Sequence, residues 1–194
     1  MTVHRLNATA ASLLGFLHER PMTGWDLVAT AQSRIGDFWS ITQSQVYREL
    51  ARMADDGLIE AGRRGSRDSQ PYTLTDAGRK AFEEWVDLEP ARETIRFPLL
   101  LMLSFGPHVS PERRASFIDR HRTMHAEQLA RYESNREALA STVEPVDPFV
   151  GATLDFGITY ERAVMDWFER LPPSVTGTRR PLPGRGQSRG PRRR

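Results

Sequence analysis

Residues 42–57, TQSQVYRELARMADDG, decide how the rest of the chain is arranged. Thr42 followed three residues later by Gln45 is a capping-box start for a helix. Val46, Leu50 and Met53 recur at steps of four and three residues, which gives one apolar stripe. Gly57 falls where a left-handed residue would close the helix. The other face carries Gln43, Ser44, Gln45, Tyr47, Arg48 and Arg52, side chains of the kinds that read base edges and grip phosphates. Taken alone, such a helix is more often a surface helix with a solvated polar face. The flanking segments change that balance.

Downstream, residues 58–61 and 72–74 read as two short strands. Between them lies GRRGSRDSQP, a polar, glycine-rich tip carrying Arg63, Arg64 and Arg67. Thr75 then caps a helix with Ala81, Phe82 and Trp85 on its apolar side. Upstream, residues 7–19 read as a helix with Asn7 as N-cap and Ala10, Leu13, Leu14 and Leu17 on one face. Thr23 and Asp26 open a second helix, whose buried side is expected to hold Trp25, Leu27, Val28 and Ala31. Phe38 and Trp39 are too apolar for an idle loop and are expected to plug the space before Thr42. Three helices and a hairpin in this order, followed by the helix from Thr75, describe a winged helix-turn-helix over residues 1–88.

The remainder is helical. Pro98 is either a first-turn residue or a kink, and residues 99–105 are apolar almost all round, which predicts burial on more than one side. Ser110-Pro111-Glu112 starts a helix that nothing breaks before about Ala140, roughly 45 Å at ~1.5 Å per residue. Ile118, His125, Tyr132 and Leu139 fall at seven-residue steps along it. A helix of that length outreaches a small core and is expected to pack against a partner. A last helix is expected over residues 149–171. The chain thus reads as mainly α with a small β-hairpin: a winged helix-turn-helix at 1–88, a helical dimerisation domain at 89–172, and a disordered Arg/Gly/Pro-rich tail at 173–194.

Composition narrows the function classes. The formal charge is +2, but residues 176–194 hold seven arginines and no acid; removing that +7 leaves −5 on residues 1–175. The high pI is therefore no argument that the body binds nucleic acid, and any such case rests on local placement of charge. There is no cysteine, hence no disulfide or thiolate metal site. No apolar run approaches a bilayer span, and the N-terminus lacks the pattern of a signal peptide. A cytoplasmic protein with no membrane partner is expected.

The stretches LLGFLHERPMTGWDL, FWSITQSQVYRELARMADDGLIE and YTLTDAGRKAFEEWV resemble the PadR family of bacterial transcriptional regulators. TIRFPLLLMLSFG and ATLDFGITYERAVMDWF resemble its longer branch, which carries a virulence-activator-alpha-like helical domain. The resemblance covers about residues 6–171. It implies a homodimer joined through the C-terminal helices that binds an inverted-repeat DNA operator, mostly as a repressor. Two positions depart from the pattern: Trp25 where a tyrosine is usual, and Gln43-Ser44 where Pro-Gly is common.

Carried over, the resemblance puts Thr42 to Arg52 in the major groove. Recognition helices contact bases through their N-terminal residues, so Gln43, Ser44 and Gln45 are the base-reading candidates. Tyr47, Arg48 and Arg52 then suit phosphates or bases. Arg63, Arg64 and Arg67 on the wing suit the backbone or minor groove; otherwise they are a solvated turn. Phe38, Trp39, Trp85 and Trp167 are candidates for an effector pocket taking a small aromatic or hydrophobic molecule, although core packing explains any one of them more simply. His121 and His125 have metal-ligand spacing, but no third ligand is evident, so helix packing is the better reading and no metal or cofactor is expected. No nucleophile elbow, P-loop or dinucleotide fingerprint occurs, and an enzyme is not expected. The arginine tail is either a polybasic arm adding non-specific DNA affinity or a solvated terminus.

Overall fold

The computed structural model describes residues 6–65, 70–142 and 145–177. Arg67 and the tail arginines lie outside them. The chain divides into two compact units, Met1–Glu93 and Thr94–Arg194.

The first unit is built from helices whose ends are set by side chains. Helix α1 (Ala8–Leu17) starts at Asn7, whose Oδ1 accepts from the Ala10 amide at 2.8 Å. Helix α2 (Gly24–Arg34) starts at Thr23 with a complete capping box to Asp26. Helix α3 (Gln43–Asp55) starts at Thr42 with a complete box to Gln45. Gly57 follows α3 at φ +71°, a conformation that costs glycine little. Helix α4 (Asp76–Val86) starts at Thr75, whose hydroxyl donates to the Leu58 carbonyl at 2.9 Å and accepts from the Gly78 amide at 3.0 Å. That one hydroxyl ties the α3 exit to the α4 entry.

Strands β2 (Ile59–Ala61) and β3 (Pro71–Leu74) pair antiparallel, with Ile59 opposite Leu74 and Ala61 opposite Tyr72. A third strand, β1 (Met22–Thr23), extends the sheet to the order β1-β3-β2. Two residues are too few for a period-2 signal, so only the hairpin was readable. The core gathers Leu13, Leu14 and Leu17 of α1, Leu27 and Ala31 of α2, Val46, Leu50 and Met53 of α3, and Leu74 of β3. Phe82 and Trp85 of α4 pack on its edge.

Three expectations about apolar side chains fail. Trp25 is 68% exposed rather than buried. The buried stripe of α2 is Gly24, Leu27, Val28 and Ala31, and Trp25 lies on the outward ridge with Ala29 and Gln32. Phe38 and Trp39 do not plug the turn before α3; both are exposed. The turn closes tightly through the Trp39 amide to the Ile35 carbonyl at 2.7 Å, and Ile35 and Ile41 fill the space instead. In the second unit, helix α5 (Pro98–Ser104) buries only Leu99, while Leu100, Leu101 and Met102 face outward within the single chain, as does Phe105 beyond its end.

Helix α6 (Pro111–Ala140) runs 30 residues from the Ser110 cap and packs lengthwise on helix α7 (Pro148–Glu169). Pro98 takes the first turn of α5 and does not kink a longer helix. Leu99, Ile118 and Phe168 form the buried centre of this unit. A short helix α8 (Pro173–Thr176) occupies positions that composition alone assigned to the tail. Arg114 explains its order: the guanidinium donates to the carbonyls of Val175 (2.8 Å), Ser174 (3.2 Å), Gly106 (2.8 Å) and Val109 (3.1 Å). Four accepting carbonyls give a charged donor ample compensation for partial burial.

Candidate nucleic-acid interface

The first turn of α3 presents Thr42, Gln43, Ser44 and Gln45 at the surface, with Gln45 the least exposed. Their hydrogen bonds form a small closed network. Gln45 Oε1 accepts from the Thr42 amide at 2.8 Å and lies 2.9 Å from Thr42 Oγ1. Thr42 Oγ1 accepts from the Gln45 amide at 3.3 Å and lies 3.1 Å from Ser44 Oγ. The Gln43 side chain has no hydrogen-bond partner among the described residues.

Further along α3, Tyr47 and Arg48 are exposed, and Arg48 has no ion-pair partner among the described residues. The ring of Tyr47 lies across the start of α2: a Cβ added at Gly24 would sit 2.6 Å from Tyr47 Cε1. With the ring where it lies a Cβ has no room there, and the ring packs the start of α2 against α3. Tyr47 therefore has a packing task as well as an exposed edge.

Arg52 sits differently from Arg48. Its Nη2 is 2.7 Å from Oε2 of the buried Glu49, an ion pair off the hydrogen-bond line. The other carboxylate oxygen of Glu49 accepts from Asn7 Nδ2 at 3.0 Å. Burying a carboxylate is costly unless it is paired, so part of the Arg52 charge is committed to Glu49. Sequence reading did not single out Glu49. Its signal was present nonetheless: an acid between Val46 and Leu50 on an otherwise apolar stripe.

The wing leaves the sheet at Gly62, whose amide donates to the Pro71 carbonyl at 2.8 Å, while Gln70 Nε2 donates to the Gly62 carbonyl at 3.1 Å. These bonds clamp the base of the hairpin. Arg63 and Arg64 are exposed just beyond it. Thus α3 and the wing belong to one unit, with exposed arginines on both.

The four aromatics considered for an effector pocket occupy three separate settings. Phe38 and Trp39 lie exposed in the α2–α3 turn. Trp85 stacks on Phe82 of α4, with centroids 6.5 Å apart. Trp167 belongs to the second unit, edge-on to Phe97 at 6.3 Å. His125 stacks on the same Phe97 at 5.5 Å, and its Nδ1 lies 2.6 Å from Oε2 of the buried Glu161. Burial, followed by the neighbouring His125 and Arg120, holds the pKa of His121 below the ordinary histidine value. Among the described residues no group of three His, Cys, Asp or Glu side chains is placed to hold a metal ion. No helix among them is long and apolar enough to cross a membrane.

Residues 13–84 match the transcriptional regulator PadR-like family, and residues 95–171 match the virulence activator alpha C-terminal family. The chain belongs to the PadR family. Its first match spans most of α1 through α4, including the wing, and its second spans α5, α6 and α7. This PadR-family chain is 24% identical over 172 residues to the negative transcriptional regulator PadR of Bacillus subtilis, covering 82% of this chain and 93% of that protein. Its fold matches the crystal structure of Bacillus subtilis PadR in complex with operator DNA, with TM-score 0.70 at 24% identity over 84% of this chain and 96% of that one. It also matches Bacillus subtilis PadR in complex with p-coumaric acid, with TM-score 0.66 at 23% identity over 88% and 97% of the two chains. The chain is thus a DNA-binding transcriptional regulator with a winged helix-turn-helix and a helical C-terminal part.

Proposed function

We propose that this PadR-family chain is a homodimeric repressor that reads an inverted-repeat operator through α3, with the wing arginines on the DNA backbone. The observation that carries the reading is the split character of α3. One side is fully committed to the core by Val46, Leu50 and Met53, while the other presents Gln43, Ser44, Gln45, Tyr47 and Arg48. Within this reading Arg48 grips phosphate, Arg52 assists while neutralising Glu49, and Arg63, Arg64 and Arg67 supply the wing contacts.

Support for a dimer comes from the second unit. Leu101 is 64% exposed on α5, and Phe149 and Phe156 are 80% and 67% exposed on α7. Aromatic and aliphatic side chains this large, gathered on helices, mark an interaction surface. A second copy covers it by symmetry. Repression is supported by the negative regulator of Bacillus subtilis. The p-coumaric acid complex of that protein supports release by a small aromatic effector.

An electrophoretic shift on the DNA upstream of the chain's own gene tests the reading, with sedimentation of the free protein to report its oligomeric state. A salt-sensitive shift that Arg48→Ala weakens, from a protein sedimenting as a dimer, is the expected result. A dimer that shifts neither this DNA nor a random library would favour the other reading, a winged helix used only for protein contacts. Hydroxycinnamic acids added to the same assay test the effector: failure of the whole panel to release the DNA removes that part of the proposal.

A further inference from the structure

The capping network at the start of α3 has only one consistent placement of its hydroxyl hydrogens. Gln45 Oε1 lies 2.8 Å from the Thr42 amide, so the atom there is the carbonyl oxygen and not the amide nitrogen. A carbonyl cannot donate, so the 2.9 Å contact between Thr42 Oγ1 and Gln45 Oε1 requires the Thr42 hydrogen to point at Gln45. The Thr42 hydrogen is then used, and the 3.1 Å contact with Ser44 requires the Ser44 hydroxyl to donate to Thr42. With the Gln45 amide also donating to Thr42 Oγ1, both lone pairs of that oxygen are filled. The accounting closes with no donor or acceptor left over inside the network.

What remains outside the network is directional. Ser44 keeps two lone pairs and no hydrogen. Gln45 keeps two amide hydrogens and no acceptor. Gln43, unpartnered among the described residues, keeps both. In the major groove cytosine shows only an amino donor, guanine two acceptors, thymine one acceptor and a methyl, and adenine one of each kind.

We propose that the Thr42 hub fixes the hydrogen-bonding sense of the readout. Ser44 accepts from an amino-bearing base, adenine or cytosine, and Gln45 donates to guanine, thymine or adenine and rejects cytosine. Gln43 alone can make the two-bond contact to adenine. This rests on the operator reading proposed above and specifies its chemistry: two residues of the turn read one hydrogen-bonding sense each.

The test selects operator half-sites from a random double-stranded library with the full chain, then measures affinity for every single-base variant. Three proteins are compared: unaltered, Thr42→Ser and Thr42→Val. Serine keeps the hub hydroxyl and should keep every preference. Valine has nearly the same shape without the hydroxyl, so Ser44 regains a donor, while the backbone amide of residue 42 still holds the Gln45 carbonyl. The expected result is loss of the penalty for guanine and thymine at the Ser44 position, with the penalty for cytosine at the Gln45 position kept. The penalty lost is at most roughly 5- to 150-fold, the range that a two-bond pairing supplies, and the Gln43 position stays unchanged. Unchanged preferences in a normally melting Thr42→Val protein would overturn the proposal while leaving the operator reading intact. A full chain that enriches no sequence would instead remove the operator reading itself.

If Thr42→Val does not fold, base analogues on the unaltered protein decide. At the position altered by Gln45→Met, removing the base acceptor should weaken binding and removing an exocyclic amine should not. Sensitivity to the amine there would contradict the assignment.

Discussion

Leu50 and Arg48 stand two residues apart on α3, one fully buried and one exposed without an ion-pair partner among the described residues. Leu50→Ala removes packing and leaves a cavity, and we expect it to cost about 2–5 kcal/mol of stability. DNA binding should then be lost in step with unfolding, which melting curves beside binding isotherms will show. Arg48→Ala should melt normally and weaken binding to every sequence alike, lowering the salt dependence by about one slope unit if it holds one phosphate. A change of base preference in Arg48→Ala would move that residue from the phosphate to the base edge. Much at this scale was legible in the sequence. Thr42, Thr23, Asn7 and Thr75 all cap as their spacing implies, because N-capping is a local event confined to about four residues. Trp25, Phe38 and Trp39 were misread because apolar character says that a side chain prefers burial and not that the fold has room for it. The ridge of α2 and the tight Ile35–Trp39 turn decide that, and neither follows from residue type. The directional network among Thr42, Ser44 and Gln45 was also out of reach, since it depends on distances between three side chains.

At the scale of elements, the contact between α6 and α7 turns on His125 and Glu161, both largely buried and 2.6 Å apart. Removing one partner strands the other between the helices. We expect His125→Leu or Glu161→Leu alone to cost about 3–5 kcal/mol, with the double substitution recovering much of it. A urea-unfolding double-mutant cycle checks this, and simple additivity would show that the pair is not coupled. His121 makes a separate statement about pH. Its folded pKa lies below the ordinary 6.5, chiefly through burial. Below about pH 6.5 the unfolded chain therefore takes up a proton that the folded unit resists, and stability falls as pH drops from there toward the folded value. His121→Gln should flatten that part of the pH profile in thermal melts; an unchanged profile would assign the dependence to another group. The sequence pointed to these helices through unbroken periodicity and proline starts. It did not reveal β1, whose two residues are held by pairing with β3, nor α8, which is ordered by Arg114 from 60 residues away.

For the whole molecule, reading an inverted repeat requires that the second unit bring two copies of α3 to one operator. The apolar run at residues 99–105 was expected to be buried on several sides, yet in the single chain only Leu99 is. A sequence shows that such a surface needs covering but not whether the cover lies in the same chain. Truncation after Leu88 should give a monomer whose operator binding is much weaker, because two linked half-sites gain from effective concentration. Equal affinity of the truncated and full chains would contradict the dimer. Replacing Arg63, Arg64 and Arg67 together with alanine should weaken binding to all sequences without altering preference. Operator reading by α3 is tested by selection from a random double-stranded library with the full chain, beside a Gln43→Ala/Ser44→Ala/Arg48→Ala protein shown to melt normally. We expect enrichment of an inverted repeat whose half-site centres lie about one helical turn apart, ~10–10.5 base pairs, or a multiple of it, and loss of that enrichment in the triple variant. The same inverted repeat enriched equally by both proteins would contradict it, since sequence would then be read somewhere other than the first turns of α3.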